Sequence, residues 1–153
     1  MSDVVCEIKS GVGLITLNRP RALNALSLSM VRDLTACLLA WRDDAKVLAV
    51  AIRGSHKEGV FGHFCAGGDI RFFHQAALAG DPSLEDFFTE EYTLNHLIHT
   101  YPKPYIAFMD GIVMGGGMGL SRGRLFVWSP SAPKWPCQKP TSACSQMWAG
   151  VSF

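Results

Sequence analysis

Two glycine-rich turns are the segments of this sequence best suited to chemistry. Residues 65–70 read C-A-G-G-D-I and residues 114–119 read M-G-G-G-M-G, and each is expected to follow a strand and open a helix. Such a junction points backbone N–H groups and the positive end of the helix dipole at one spot. Two such amides from separate loops form an oxyanion hole, which stabilises an enolate or a tetrahedral thioester intermediate. An isolated glycine-rich turn is more often only a tight turn, so the pair needs further support.

Other kinds of site find little support in the residues. A dinucleotide-type G-x-G-x-x-G beginning at Gly115 needs glycine at position 120, where Leu120 stands, and no P-loop Gly-Lys-Ser/Thr follows. The five cysteines are scattered, with no C-x-x-C pair and no histidine at zinc spacing, so neither a disulfide framework nor a metal site is expected. No G-x-S-x-G elbow is present for covalent catalysis. Several histidines are available as acid/base groups, although solvated or structural roles are commoner: His63, His74, His96 and His99.

An alternation of strands and helices positions these turns. Apolar steps of three and four residues predict helices over residues 26–41 and 84–99. Strands are predicted over four apolar or alternating runs, which are residues 4–9, 12–17, 47–52 and 105–109. The order of these elements indicates an α/β fold.

Composition bounds the class of protein. The chain has 153 residues, 48% of them apolar and 18% charged, with a formal net charge of +1. That balance is typical of a globular domain and points to neither nucleic acid nor a membrane surface as a partner. No apolar run approaches the ~20 residues that span a bilayer. Residues 1–6 resemble neither a signal peptide nor a transit peptide, and the unpaired thiols fit a reducing compartment, so a cytoplasmic location is expected.

Three ordered segments resemble the crotonase superfamily of acyl-CoA enzymes. Residues 18–26 resemble its N-R-P-x-x-x-N-A-L segment, residues 64–70 its F-x-A-G-x-D-I segment, and residues 110–117 its second glycine-rich turn. The resemblance implies a crotonase-type ββα spiral, here truncated. It further implies that the amides of Ala66 and Gly116 form the oxyanion hole.

The same resemblance implies the ligand contacts. The substrate is an acyl-CoA, so CoA enters as part of the substrate, and no metal or other cofactor is implied. A homo-oligomer is also an expectation, because crotonase relatives often form trimers or hexamers. The residues implied to bind substrate are Arg21, Ala22, Asn24, Gly67, Gly68, Asp69, Glu91 and Gly116.

Within the superfamily, two segments favour one subgroup. Residues 86–95 (D-F-F-T-E-E-Y-T-L-N) and 115–121 (G-G-G-M-G-L-S) resemble 3-hydroxyisobutyryl-CoA hydrolases, in which the residue matching Glu91 contacts substrate. Enoyl-CoA hydratases commonly carry a catalytic glutamate at the position of Gly119, so its absence argues against hydratase chemistry. A solvated place on a charged helix face is the alternative for Glu91.

The composition changes near residue 121. Residues 1–121 hold all 13 acidic residues, whereas residues 122–153 hold none, yet they hold three of the four tryptophans and four of the eight prolines. The hydrolases continue here with a segment that carries the catalytic acid/base glutamate and an assisting aspartate, and this chain lacks it. Back-translated and read in a shifted frame, residues 133–149 give K-M-A-M-P-E-T and N-I-G-L-F-P-D-V-G, in which Trp135-Pro136 and Met147-Trp148-Ala149 fix several positions.

Two regions are therefore predicted. Residues 1–121 are the N-terminal part of a crotonase-like acyl-CoA domain, and residues 122–153 are an irregular tail from out-of-frame translation. The expected activity is hydrolysis of a 3-hydroxyacyl-CoA thioester in valine breakdown, with this chain inactive, and buried strands such as residues 47–52 are expected to be poorly covered. The alternatives are an enoyl-CoA hydratase or isomerase, and a non-catalytic fragment or CoA-binding module.

Overall fold

The computed structural model describes residues 2–55 and 63–121, together with the backbone of residues 125–128. A hairpin opens the chain, and strands and helices alternate after it, so the predicted α/β class is confirmed. The elements in chain order are β1 Val4–Lys9, β2 Val12–Leu17, α1 Leu28–Arg42, β3 Ala49–Gly54, α2 Ile70–Ala79, α3 Ser83–His99, β4 Tyr105–Met109, α4 Gly116–Ser121 and β5 Leu125–Trp128.

One sheet holds the five strands in the order β1-β2-β3-β4-β5. β1 and β2 are antiparallel and meet at Ser10 and Gly11, whose φ angles of 49° and 82° suit a two-residue hairpin turn. The other three strands run parallel to β2, so helices cross between them. Because parallel strands end at the same edge, the chain that follows β3 and the chain that follows β4 lie side by side, and these segments contain the two glycine turns.

Helix α1 begins at a side-chain cap. The Ser27 hydroxyl accepts a hydrogen bond from the Met30 amide at 3.3 Å, which satisfies one of the unpaired donors of the first turn. The prediction placed the start two residues earlier, but the Leu26 amide donates to the Gly67 carbonyl at 2.7 Å instead. Leu26 therefore joins the loops of the two motif segments rather than the helix.

The core lies between the sheet and helices α1 and α3. It includes Leu34 and Leu38 of α1 and Leu94 of α3, each at most 1% exposed, and fully burying a leucine contributes roughly 1.5–3 kcal/mol. The expectation of poorly covered strands is wrong. Both faces of β3 are covered, since Val50 and Ile52 on one face are 0% exposed and Ala51 on the other is 5% exposed. Leu48, which precedes the strand, is 70% exposed.

Small differences separate the predicted and observed elements. β3 begins two residues later than predicted, because the Val47 amide closes a turn onto the Asp44 carbonyl at 3.1 Å. Phe88 is a large apolar residue of α3 that is nevertheless 39% exposed. The rest of the α3 prediction agrees, with Phe87 fully buried.

The tail contributes one strand, contrary to the prediction of a wholly irregular segment. β5 pairs in parallel with β4, with Ile106 opposite Leu125 and Met109 opposite Trp128. The physical reason is a short run of apolar and aromatic residues, L-F-V-W, next to the unpaired edge of β4. Residues 122–124 and 129–153 lie outside the described residues, so the boundary at residue 121 and the frameshift stay predictions.

Candidate functional site

Asn24 fixes the loop that follows β2. The backbone is left-handed at Leu23 and Asn24, with φ angles of 52° and 56°, and asparagine tolerates this conformation better than most residues. Its Oδ1 accepts from the Arg19 amide at 2.9 Å, and its Nδ2 donates to the carbonyls of Ser55 at 3.2 Å and His63 at 2.7 Å. The side chain is 0% exposed. Its polar groups are engaged within the protein, so any contribution of Asn24 to binding comes through the loops that it holds together.

Arg19 joins the first two motif segments. Its guanidinium contacts the Asp69 carboxylate at 2.7 Å and donates to the Ala25 carbonyl at 3.1 Å. Asp69 also caps α2, since its Oδ1 accepts from the amides of Arg71 and Phe72. Burial by itself would raise the pKa of Asp69, but the hydrogen bonds from Arg19 and from these amides outweigh it and lower that pKa. Asp69 is therefore an ionised anchor rather than a proton donor.

A cavity of about 340 Å³ lies between these two segments. Three arginines and one aspartate carry its charge, and the aspartate is already paired with Arg19. In the part of the chain that the structure describes, Arg21 and Arg71 have no acidic partner, so the cavity is positively charged. Its wall is formed by Arg19, Arg21, Ala22, Leu23, Ala25, Ala66, Gly68, Asp69, Ile70 and Arg71, which include five of the predicted site residues.

The two glycine turns meet backbone to backbone. Cys65 and Val113 form a parallel bridge, and the Met114 amide donates to the Cys65 carbonyl at 3.0 Å. Gly67 has a φ of 98°, and a Cβ there would lie 3.2 Å from the Met114 carbonyl oxygen and 3.6 Å from the Cα of Gly115. A side chain at position 67 would be strained in its backbone and crowded by the second turn. The predicted convergence of the two turns is thus present in the structure.

The two predicted oxyanion-hole amides differ in their surroundings. The Ala66 amide donates to the Leu23 carbonyl at 3.1 Å, so it already has an acceptor. Gly116 is the first residue of α4, and its N–H has no acceptor among the described residues. The structure therefore presents one unoccupied donor, at Gly116, and one donor that must exchange the Leu23 carbonyl for a ligand oxygen.

Glu91 lies directly against the second turn. It is on α3, is only 7% exposed, and its Oε1 occupies the space that a Cβ at Gly116 would need. Burial raises the pKa of its carboxyl group, because the charged form loses hydration. Within residues 2–55 and 63–121, no hydrogen-bond donor or cation pairs with this carboxylate. The alternative of a solvated helix face is wrong for Glu91.

Asn95, one helical turn after Glu91, was missed by the sequence reasoning. Its carboxamide fills the space beside Gly119, where a Cβ would overlap the side chain, and its Oδ1 is buried without a hydrogen-bond partner among the described residues. The four-residue spacing from Glu91 was the available signal, since residues i and i+4 share a helix face. α3 therefore presents two polar side chains to α4.

The other candidate groups have structural or solvated positions. The thiol of Cys65 is buried, which raises its pKa to about 12 and excludes it as a thiolate nucleophile at neutral pH. His63 accepts the Ile112 amide on Nδ1 at 3.1 Å, and His74, His96 and His99 are exposed. Among the described residues, no group of three or more possible ligands could hold a metal ion, and no helix is long and apolar enough to cross a membrane.

Curated relatives of this chain carry the name of the predicted subgroup. The 3-hydroxyisobutyryl-CoA hydrolase of Gallus gallus, named as mitochondrial, is 45% identical over 120 residues, which cover 78% of this chain and 30% of the relative. The enzyme of the same name from Xenopus tropicalis is 53% identical over 109 residues, covering 71% of this chain and 27% of the relative. The chain thus spans less than a third of the length of these relatives. The predicted resemblance to this subgroup is confirmed.

The same relatives correct the predicted location. Their names place them in mitochondria, so the expectation of a cytoplasmic protein is wrong. The expectation rested on residues 1–6. Because the alignment covers less than a third of the relatives, these residues carry no information about targeting.

Solved structures and a family profile agree on the fold. An enoyl-CoA hydratase from Rhodobacter sphaeroides superposes with a TM-score of 0.78 at 39% identity, covering 86% of this chain and 38% of that one. A carnitinyl-CoA dehydratase from Mycobacterium thermoresistibile gives 0.77 at 41% identity, covering 89% and 39%. The predicted crotonase fold is confirmed. Because the enoyl-CoA hydratase/isomerase profile also matches residues 12–127, the chain belongs to the enoyl-CoA hydratase/isomerase family.

Proposed function

We propose that this chain binds acyl-CoA thioesters and that its reaction class is hydrolysis of a 3-hydroxyacyl-CoA, such as 3-hydroxyisobutyryl-CoA of valine breakdown. The observation that carries the proposal is the meeting of the two glycine turns, with the buried Glu91 carboxyl set against Gly116. A polar group at this point suits an acyl chain that carries a hydroxyl. The names of the curated relatives support the same substrate.

The cavity supplies a place for the CoA portion. Arg21 and Arg71, which have no acidic partner in the described part of the chain, suit phosphate groups, because a guanidinium offers several N–H donors in a planar fork. Ala66 lies in the same wall, so a thioester that follows the pantetheine arm arrives at the two turns. Gly67, Gly68 and Asp69 shape the path between them. CoA is part of the substrate, and we propose no other cofactor.

Cleavage of the thioester is not expected from this chain. The catalytic glutamate and aspartate of the hydrolases belong to a segment that has no counterpart in this sequence, and loss of a general acid/base typically lowers a rate by about 10²–10⁴-fold. We therefore propose that the chain binds substrate and fails to hydrolyse it. We also propose a homo-oligomer, on the basis of the family resemblance.

Two other functions remain candidates. An enoyl-CoA hydratase is favoured by the description of the Rhodobacter sphaeroides structure. Against it, position 119 holds glycine, and the carboxamide of Asn95 leaves no room there for the catalytic glutamate of the hydratases. A non-catalytic CoA-binding module is the other, and it differs from our proposal in having no preference for an acyl group.

Calorimetric titration of the full chain tests binding. Isobutyryl-CoA and 3-hydroxyisobutyryl-CoA are expected to bind, and free CoA to bind more weakly. Arg21→Ala should weaken binding by about tenfold, the loss expected for one charge-assisted hydrogen bond. Arg42→Ala is the matched control, because Arg42 is an exposed arginine at the end of α1 that pairs with Asp43. Equal binding of CoA and its thioesters would favour the module, and no binding would refute the proposal.

Product analysis tests the reaction class. The chain is mixed with 3-hydroxyisobutyryl-CoA and, separately, with crotonyl-CoA, and released thiol and hydrated product are both measured. We expect neither product above the uncatalysed level from this chain. With the in-frame continuation of the hydrolases restored after residue 121, thiol release is expected, and hydration without thiol release would refute the assignment to hydrolysis.

A further inference from the structure

Two cysteines from separate elements, Cys6 of β1 and Cys37 of α1, have adjacent thiols. The Cys37 S–H donates a hydrogen bond to the Cys6 sulfur, so the two sulfur atoms are neighbours. Cys6 is exposed and Cys37 is half-buried, whereas Cys65 is buried and donates to the Gly67 carbonyl at 3.8 Å. Neither Cys6 nor Cys37 belongs to the wall of the cavity described above. The pair is therefore a cluster of reactive side chains outside the acyl-CoA site.

The strand pairing places Cys6 on the face of the sheet that α1 covers. Cys6 lies opposite Ile15 of β2, and directly opposite residues of an antiparallel pair point to the same face. Ile15 is 0% exposed and belongs to the core, together with Leu34 and Leu38 of α1. Cys6 thus points toward the helix, and it is exposed because β1 is the edge strand of the sheet.

The position of α1 along the hairpin brings Cys37 to the same place. The ring of Trp41 occupies the space that a Cβ at Gly13 would need. Cys37 precedes Trp41 by four residues, about 6 Å along a helix. The pair of Cys6 and Ile15 lies two residues along the hairpin from Gly13, about 6.8 Å. Because α1 leads from the end of β2 back to the start of parallel β3, the helix runs against β2, and the two steps coincide.

The hydrogen bond gives the two thiols different properties. It lowers the pKa of Cys6 because it stabilises the thiolate, and it outweighs burial and the Asp33 carboxylate, which act in the opposite direction. The same bond raises the pKa of Cys37, which holds the shared proton. Since the thiolate is the nucleophile in thiol chemistry, the exposed Cys6 is suited to attack an oxidant and Cys37 to attack the oxidised Cys6.

We propose that Cys6 and Cys37 form a redox modification site, at which a hydroperoxide converts the two thiols into a disulfide that joins β1 to α1. The reduced pair is the resting form, as expected of thiols in a reducing compartment. The disulfide would close a loop of about 30 residues, which includes the segment that Asn24 holds together. This site does not depend on the acyl-CoA binding proposed above.

The oxidation balances in two steps. The Cys6 thiolate attacks one oxygen of the hydroperoxide, the O–O bond breaks, and Cys6 becomes a sulfenic acid while the second oxygen leaves as an alkoxide that takes a proton from water. The Cys37 sulfur then attacks the Cys6 sulfur, the S–O bond breaks, and the departing hydroxide takes the Cys37 proton to form water. Two thiols are oxidised to one disulfide, and the hydroperoxide is reduced to an alcohol and water.

Peptide mapping without reduction tests the proposal. The reduced full chain is treated with a small excess of hydrogen peroxide, its free thiols are alkylated, and it is digested with trypsin. The digestion separates Cys6 and Cys37 into peptides of residues 1–9 and 33–42, each with a single cysteine. We expect these peptides to be linked after oxidation, with a mass two hydrogen atoms below their sum, and to separate when dithiothreitol is added.

Variants distinguish this pair from the other thiols. Cys37→Ser should abolish the linked peptides and leave Cys6 as a sulfenic acid, which dimedone traps. The double variant Cys137→Ser with Cys144→Ser is the matched control, because it removes two other thiols and should link as wild type does. In wild type, oxidation should raise the melting temperature by about 5–10 °C, because a cross-link restricts the unfolded chain.

Three results would overturn this inference. The first is an oxidised wild-type protein without the linked peptides, and the second is a linkage of Cys6 to a cysteine other than Cys37. The third is a linked protein that melts below the reduced one, since a bond that distorts the fold is no part of the native structure. Mapping is carried out on wild type itself, so it does not depend on the folding of any variant.

Discussion

Replacing Asn24 with alanine removes the three hydrogen bonds that hold the loop after β2. The bonds join Asn24 to the Arg19 amide and to the carbonyls of Ser55 and His63, at 2.7–3.2 Å, and the side chain is fully buried. At a net 0.5–1.5 kcal/mol for each bond, the loss is about 1.5–4.5 kcal/mol. Alanine in the left-handed conformation, at a φ of 56°, adds about 1 kcal/mol. We expect a total of about 2.5–5.5 kcal/mol.

Two control variants separate these contributions. Asn24→Gly loses the same hydrogen bonds but not the backbone conformation, so it should be about 1 kcal/mol more stable than Asn24→Ala. Asn18→Ala removes an exposed side chain that donates to the Ser2 carbonyl at 3.2 Å, and it should change stability by less than about 0.5 kcal/mol.

Urea unfolding followed by circular dichroism measures all four proteins. A loss of about 2.5–5.5 kcal/mol is a large part of the roughly 5–15 kcal/mol typical of a whole domain, so Asn24→Ala should unfold at much lower urea concentrations than wild type. If Asn24→Ala lies within about 1 kcal/mol of wild type, the three hydrogen bonds do not hold the loop and the reasoning is wrong.

Three further predictions concern the site. Gly119→Glu should lower the melting temperature, because Asn95 fills that space and overpacking costs about 1–3 kcal/mol. Adding Asn95→Ala to this variant should recover part of the lost stability. If the second substitution has no effect, the contact between Asn95 and position 119 is contradicted. Asp69→Asn should remove part of the acid sensitivity. The folded pKa of Asp69 is lowered, so its stabilisation is present above about pH 4 and is lost as the pH falls further; equal acid unfolding of variant and wild type would exclude this. A thiol reagent at pH 8 should label exposed Cys6 and spare buried Cys65 in the native protein, and mass spectrometry showing equal labelling would contradict the burial.

Much of the fold could be predicted because its signals are local. The hairpin of β1 and β2 was predicted from alternating residues around a Ser-Gly turn, and α1 and α3 from apolar residues three and four positions apart. β5 was not predicted, because its apolar run has only four residues and forms a strand by pairing with the edge of β4, a contact that the local sequence does not show. The predicted location was wrong for a different reason. A targeting segment indicates a location when it is seen, but its absence from the first residues indicates none.

The site was predicted in outline, and the details that were missed are contacts between distant residues. The convergence of the two turns followed from their motifs and from the parallel sheet, because both follow strands that end at one edge. The fit of Asn95 against Gly119 joins residues on two different helices, and neither residue type announces it. The burial of Glu91 depends in the same way on how α3 lies against the second turn.

The bond between the Ala66 amide and the Leu23 carbonyl bears on how the site would favour chemistry over binding. A left-handed leucine was not predictable from the sequence, and it places a neutral acceptor 3.1 Å from an amide that the family resemblance assigns to the oxyanion. In the proposed reaction, a neutral thioester oxygen gains little by replacing this carbonyl, since both are neutral acceptors. The charged oxygen of a tetrahedral intermediate gains much more, because hydrogen bonds to a charged acceptor are roughly twice as strong. Exchange of the Leu23 carbonyl would therefore stabilise the charged intermediate more than the bound substrate, and such a difference is what accelerates a reaction.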